Sequence, residues 1–158
     1  KGMTDSGYPL HLVFLSNDGD TDLKNIRKKN KRILLINNGI HPGEPDGIDA
    51  SMLLARDIVT KKYAIPSNIV TAFIPVYNIG GCLNRSPNYR VDQNGPEEFG
   101  FRGNGRNFDL NRDFIKLDSR NAQSFTEIFH ELDPDIFIDN HVSNGADYQH
   151  IFTNHPAQ

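Results

Sequence analysis

The chain has 158 residues and a formal net charge of −3, long enough for one domain with a real core. Its 37% hydrophobic and 23% charged residues are globular proportions, and the slight acidity gives no general attraction to nucleic acid or an anionic membrane. Its single cysteine, Cys82, excludes an intrachain disulfide and a cysteine-rich zinc site.

No run of about 18 apolar residues marks a membrane span. The sequence opens on Lys1 without a visible secretory leader, as expected of a processed or trimmed product. Residues 10–15 predict a first strand. Residues 24–32 carry six basic side chains in nine positions and are expected to be a solvated connection between strands. Residues 33–36 form a continuous apolar run, the mark of a strand covered on both faces. A loop rich in Gly, Pro and Asn follows over 37–46.

Residues 48–60 predict a helix, with Ile48, Met52, Leu53, Ala55 and Val59 near one face. Pro66 interrupts the chain before a strand over 69–76. Residues 77–107 show no period and hold six Gly and six Asn, so a long loop is expected, and loops of that length in compact domains tend to carry function. Asp118 or Ser119 caps a helix that runs to Leu132, with Ala122, Phe125, Ile128, Phe129 and Leu132 at helical spacing. Residues 136–138 predict a third buried strand. Alternating strands and helices imply an α/β fold with a mixed, mostly parallel twisted sheet flanked by helices on both faces.

In such sheets ligands bind beyond the carboxyl ends of the strands. His41 and Glu44, in His41-Pro42-Gly43-Glu44, follow one strand end. His141 follows another. Two imidazoles and a carboxylate leave the fourth position of a tetrahedral zinc open, as in hydrolytic rather than structural sites. The stretch from Gly105 to Phe114 adds charged and amide groups. There Asp109 is placed to accept the second N–H of a metal-bound imidazole. Asn111 and Arg112 suit a substrate carboxylate, which guanidinium geometry binds in bidentate fashion.

With His41 and Glu44, Asp109-Leu110-Asn111-Arg112 and Asp139-Asn140-His141 in this order, the chain resembles the zinc metallocarboxypeptidases of the carboxypeptidase A/B superfamily. Tyr77-Asn78-Ile79-Gly80-Gly81 takes the place of that family's Asn-Pro-Asp-Gly turn but departs from it at Ile79 and Gly80. The resemblance implies one zinc ion held by His41, Glu44 and His141, with Asp109 behind the first histidine. It implies Asn111 and Arg112 as the pair that binds a terminal carboxylate. For the arginine that polarises the scissile carbonyl, it points to Arg102, nine residues before Asn111, with Arg106 as the competitor. The implied fold is a mixed sheet of about eight strands.

The family's general-base glutamate and a site-closing tyrosine lie well downstream of the last zinc ligand, and this sequence ends 17 residues past His141. Residues 1–158 are therefore expected to form one partial catalytic domain, truncated and inactive or very weak alone. Glu97 and Glu98 are not placed to replace the base. The implied reaction is zinc-dependent hydrolysis of an amide next to a free C-terminal carboxylate. Deacylation of N-acyl amino acids and cell-wall peptide trimming are alternatives, and a non-catalytic peptide-binding domain is an alternative of another class. The expected partner is a peptide or N-acyl amino acid, in a secreted or periplasmic setting that the family favours.

Other chemistries lack their signatures. Ser143 has no G-x-S-x-G elbow, and Gly100, Gly103 and Gly105 form neither a dinucleotide fingerprint nor a P-loop. Cys82 is expected to be a small buried residue. His11 is expected to be structural and His130 to sit at the surface or in packing. His150 and His155 are expected to take up only adventitious metal.

Overall fold

The computed structural model describes residues 2–143. In chain order the elements are β1 (Val13–Ser16), α1 (Leu23–Lys28), β2 (Arg32–Asn37), α2 (Asp46–Val59), β3 (Ile69–Ile74), α3 (Ile79–Leu83), β4 (Arg85–Ser86), β5 (Phe99–Gly100), a 3-10 turn at Leu110–Arg112, α4 (Arg120–Leu132) and β6 (Ile136–Asp139). The main sheet runs β1-β3-β2-β6, while β4 and β5 form a small ribbon. Strand β2 is parallel to both neighbours, and β1 is antiparallel to β3. The register sets Asn37 of β2 opposite Asp139 of β6. The chain beyond each strand therefore leaves the sheet at the same edge, where His41 and His141 follow.

The core lies between the sheet and α4. Leu35, Ala72, Ile74, Tyr77, Leu110, Phe125, Ile128 and Leu132 form one buried cluster. Phe125 is its hub, with its ring centroid 5.4 Å from Tyr77, 5.2 Å from Phe114 and 5.6 Å from Phe137. Truncating such a ring to alanine typically costs about 3–5 kcal/mol. Helix α4 starts where Ser119 caps it, its hydroxyl accepting from Ala122 N at 3.0 Å. Asp113 holds the approach by accepting from the N–H groups of Asp118 and Ser119. The helix ends at Asp133, in the left-handed region at φ 45°. Asp135 then accepts from Ile33 N at 2.8 Å and fixes the entry of β6.

Several expectations change. The basic stretch is not merely a solvated connection. Helix α1, capped by Asp22 just before it, takes up its first half, Ile26 is buried, and Lys31 is buried against Asp18 at 2.6 Å. The region expected to be one long loop contains α3 and the β4–β5 ribbon.

Strand β6 is exposed rather than buried, with Ile136 59% and Ile138 41% accessible. It is the edge of the sheet among the described residues, and Phe137 alone meets the aromatic hub and Phe129. The sheet has four strands among these residues, against about eight expected.

Helix α2 also turns its apolar residues outward. Met52, Leu53 and Val59 are exposed while Ser51 and Asp57 are buried. The reason is a close polar approach to the strand ends. A Cβ at Gly47 would lie 2.5 Å from Asn140 Cβ, and Asn38 Nδ2 donates to Ser51 Oγ at 2.9 Å. This packing rotates the apolar stripe away from the sheet.

Candidate metal centre

The loop after β2 folds as a tight turn, with Glu44 N donating to the His41 carbonyl at 2.9 Å. That turn brings both side chains to one place, buried at 3% and 4% exposure. Asn78 anchors the surroundings. Its amide oxygen accepts from Gly81 N at the start of α3, and its nitrogen donates to the carbonyls of Ile40 and Arg102. One side chain thus ties the ligand loop, the segment after β3 and the Arg102 strip together. The turn that departs from the family pattern at Ile79 and Gly80 keeps its asparagine in a structural position.

Glu44 stands at the centre. His41 Nδ1 lies 3.1 Å from Oε1, and His141 Nδ1 lies 2.9 Å from Oε2. Arg90 Nη1 reaches Oε1 at 3.1 Å, and Val142 N donates to Oε2 at 3.1 Å. The two imidazole centroids are 5.1 Å apart. Each histidine is backed by a carboxylate on its other nitrogen. His41 Nε2 meets Asp109 Oδ1 at 3.0 Å, and His141 Nε2 meets Asp139 Oδ2 at 3.0 Å. Such backing fixes the tautomer and the ring orientation of a metal-binding imidazole.

The electrostatics follow from these contacts. Burial pushes the Glu44 carboxyl up, but hydrogen bonds from His141, His41 and Val142 N outweigh it and hold it well below the usual carboxylate range. Asp139, and then Glu44, raise His141 to about 9 against the opposing effect of burial. Burial also opposes ionisation of Asp109, but the His41 hydrogen bond and the Arg102 charge bring it below its ordinary value.

The ligand atoms of His41, Glu44 and His141 lie within 4.8 Å of one another. The donor set is two imidazole nitrogens and one carboxylate on a common centre, which fits a zinc-type ion with an open position.

The remaining residues divide clearly. Arg102 comes to the site: its Nε and Nη2 both lie 3.0 Å from Asp109 Oδ2, and its Nη1 lies 3.5 Å from His41 Nδ1. Arg106 does not. It packs over Phe108, its Nη1 donates to the Asp118 carbonyl at 3.4 Å, and Asp5 lies 3.9 Å away.

Asp109 also caps the 3-10 turn, accepting from Asn111 N at 3.0 Å, so one carboxylate places His41, Arg102 and Asn111 together. Arg112 is exposed, its guanidinium donates back to the Asn111 carbonyl at 3.0 Å, and it makes no ion pair among the described residues. Glu98 pairs with Arg85 at 3.8 Å, away from the cluster. His11 and His130 are exposed, and Cys82 is half-buried, its thiol pushed up by burial. His150 and His155 lie outside the described residues. Sequence reasoning missed Asp139 and Arg90 as partners of the centre. Asp139 was legible as a carboxylate two positions before a strand-end histidine, but Arg90 carried no local signal.

No family model matches the sequence, and no curated protein is significantly similar to it. Solved structures do match. A metallo-carboxypeptidase from Burkholderia cenocepacia superposes with a TM-score of 0.64 at 20% identity, covering 93% of this chain and 36% of that one. The carboxypeptidase A from Helicoverpa armigera superposes with a TM-score of 0.66 at 16% identity, covering 89% and 39%. The fold is that of the metallo-carboxypeptidases. At these identities the likeness concerns the fold. This chain spans a little over a third of the length of these two solved structures. Among the described residues no helix is long and apolar enough to cross a membrane.

Proposed function

We propose that residues 1–158 form the metal- and carboxylate-binding part of a zinc metallocarboxypeptidase domain, one that hydrolyses an amide next to a free C-terminal carboxylate. The observation that carries this proposal is the convergence of His41, Glu44 and His141 at one edge of a sheet with the metallo-carboxypeptidase fold. Zinc held there would supply Lewis acidity and a bound water of lowered pKa.

The chain's own residues do the rest. Asp109 and Asp139 hold the imidazole rings so that each Nδ1 faces the centre. Asp109 also aims Arg102 at the same space, where its guanidinium stabilises the developing oxyanion. A donor in that role is typically worth about 3–4 kcal/mol in the transition state. Asn111 and Arg112 take the terminal carboxylate, Arg112 having no competing ion pair among the described residues. Arg106 has no role assigned to it, being engaged beside Asp5.

Among the described residues the carboxylates in contact with the histidines are Glu44, Asp109 and Asp139, all committed to holding them. Among the described residues none is free to move a proton between water and leaving amine, so the expected behaviour is binding rather than turnover.

The test is zinc content by mass spectrometry, followed by binding of an N-acyl amino acid to the zinc-loaded chain. One zinc per chain, lost in His41→Ala and in His141→Ala, is expected, with ligand affinity lost in Arg112→Ala. A wild-type chain that takes up no zinc overturns the proposal, and normal peptidase turnover by this chain overturns the view that it only binds.

A further inference from the structure

Arg90 belongs to the loop between the ribbon strands, 46 residues from Glu44 in sequence, yet its side chain is only 9% exposed. Three contacts hold it. Its stem lies on Gly43, where a Cβ would come within 2.9 Å of Arg90 Cγ, so the glycine between the metal ligands opens the berth. Its Nη1 meets Glu44 Oε1 at 3.1 Å. Gln93, with its amide oriented to suit both neighbours, accepts from Arg90 Nη2 at 2.8 Å and Nε at 3.3 Å and donates to the Gly43 carbonyl at 3.0 Å. The guanidinium fork is used from both sides, as a fixed part rather than a passing surface contact.

The contacts on Glu44 define what this part does. Oε1 faces His41 Nδ1 and Arg90, and Oε2 faces His141 Nδ1 and Val142 N. Each oxygen thus has two nitrogen neighbours, an imidazole whose role is set by its tautomer and one fixed N–H donor. An ion that takes the two imidazole nitrogens ends their claims on Glu44. Arg90 and Val142 N remain, one on each oxygen. We infer that Arg90 is a positioning residue for the metal centre: it holds Glu44 in its ligating orientation from the loop, clamped by Gln93 and admitted by Gly43. This inference rests on the proposed zinc site and adds a partner that acts through Glu44. Outer partners of ligands typically contribute a 10–100-fold effect on metal affinity.

The experiment measures zinc affinity of the full 158-residue chain by chelator competition, and the visible spectrum of the cobalt-loaded chain, for wild type, Arg90→Met, Arg90→Lys and Gln93→Leu. Arg90→Met is expected to weaken zinc roughly 10–100-fold and to alter the cobalt spectrum. Arg90→Lys is expected to recover part of the loss, and Gln93→Leu to lie between it and wild type. Unchanged or tighter zinc binding in Arg90→Met overturns the inference, as does a lower melting temperature with an unchanged spectrum. Should Arg90→Met fail to fold, wild-type affinity in both Arg90→Lys and Gln93→Leu overturns it, and weakened affinity supports it. A wild type that binds no zinc removes the site itself, an outcome distinct from a site that binds zinc without regard to Arg90.

Discussion

His41 and His141 offer the same ring nitrogen to the same carboxylate from different surroundings. The side chain of His41 is 3% exposed, in a socket made by its own turn, Asp109 and Arg102. That of His141 is 31% exposed and hangs from the edge strand of the described sheet, held by Asp139 two residues before it. A strand flanked on both sides delivers its ligand into a buried, charged socket. An edge strand fixes its ligand through charge. The first half of the centre is buried and held by Asp109 and Arg102, and the second is half-exposed and held by Asp139.

Removing each ring should break the symmetry of the metal site most strongly. Both His41→Ala and His141→Ala should abolish stoichiometric zinc. Both should also lower stability in denaturant melts with chelator present, His41→Ala by more, about 2–3 kcal/mol, because the ring it removes is the more buried and partners both Glu44 and Asp109. Equal destabilisation by the two variants would erase the distinction.

The backing carboxylates sharpen the same contrast. Asp109→Asn should weaken zinc by roughly 10–100-fold. It should also disturb Arg102 and the Asn111 turn, while Asp139→Asn should act on His141 and on Asn37, whose amide donates to Asp139 Oδ1 at 3.0 Å. Amide chemical shifts around the 3-10 turn distinguish the two.

Titration of the metal-free chain gives the next effect. His141 is raised from 6.5 to about 9, so its contribution to stability is complete below pH 6.5 and is lost as pH rises through about 9. Glu44 and Asp109 are lowered, so their contributions are present above their ordinary values of 4.5 and 3.8 and are lost on acidification below them. Metal-free stability should therefore plateau between these limits, and the alkaline limb should vanish in His141→Gln. Zinc affinity should instead climb toward pH 9, because the ion must displace the His141 proton. The smallest effect belongs to Arg112→Ala, which should leave stability within about 0.5 kcal/mol while removing affinity for a carboxylate ligand.

The strand ends were legible because the apolar run at 33–36 and the one at 136–138 are each followed by a histidine at short range, and periodicity needs no tertiary knowledge. The cap at Ser119 and the packing face of α4 were legible for the same reason. Coverage was not. An apolar run states what a strand prefers, not whether a neighbour is there to satisfy it, so exposed β6 looked like buried β2. The outward stripe of α2 escaped because Gly47 and Ser51 set the helix by close approach, which hydropathy does not record. Arg102 was reachable only through the family resemblance, which left Arg106 as a competitor. Arg90 was not reachable at all, since its link to Glu44 is purely spatial.

The Asn78 amide also bears on how the protein ages. Its nitrogen donates to two carbonyls, those of Ile40 and Arg102, from two separate segments of the chain. Slow hydrolysis of that amide would put a charged oxygen against both carbonyls and turn a tie into a wedge. Stored protein would then lose its grip on metal well before its helices or sheet showed any change.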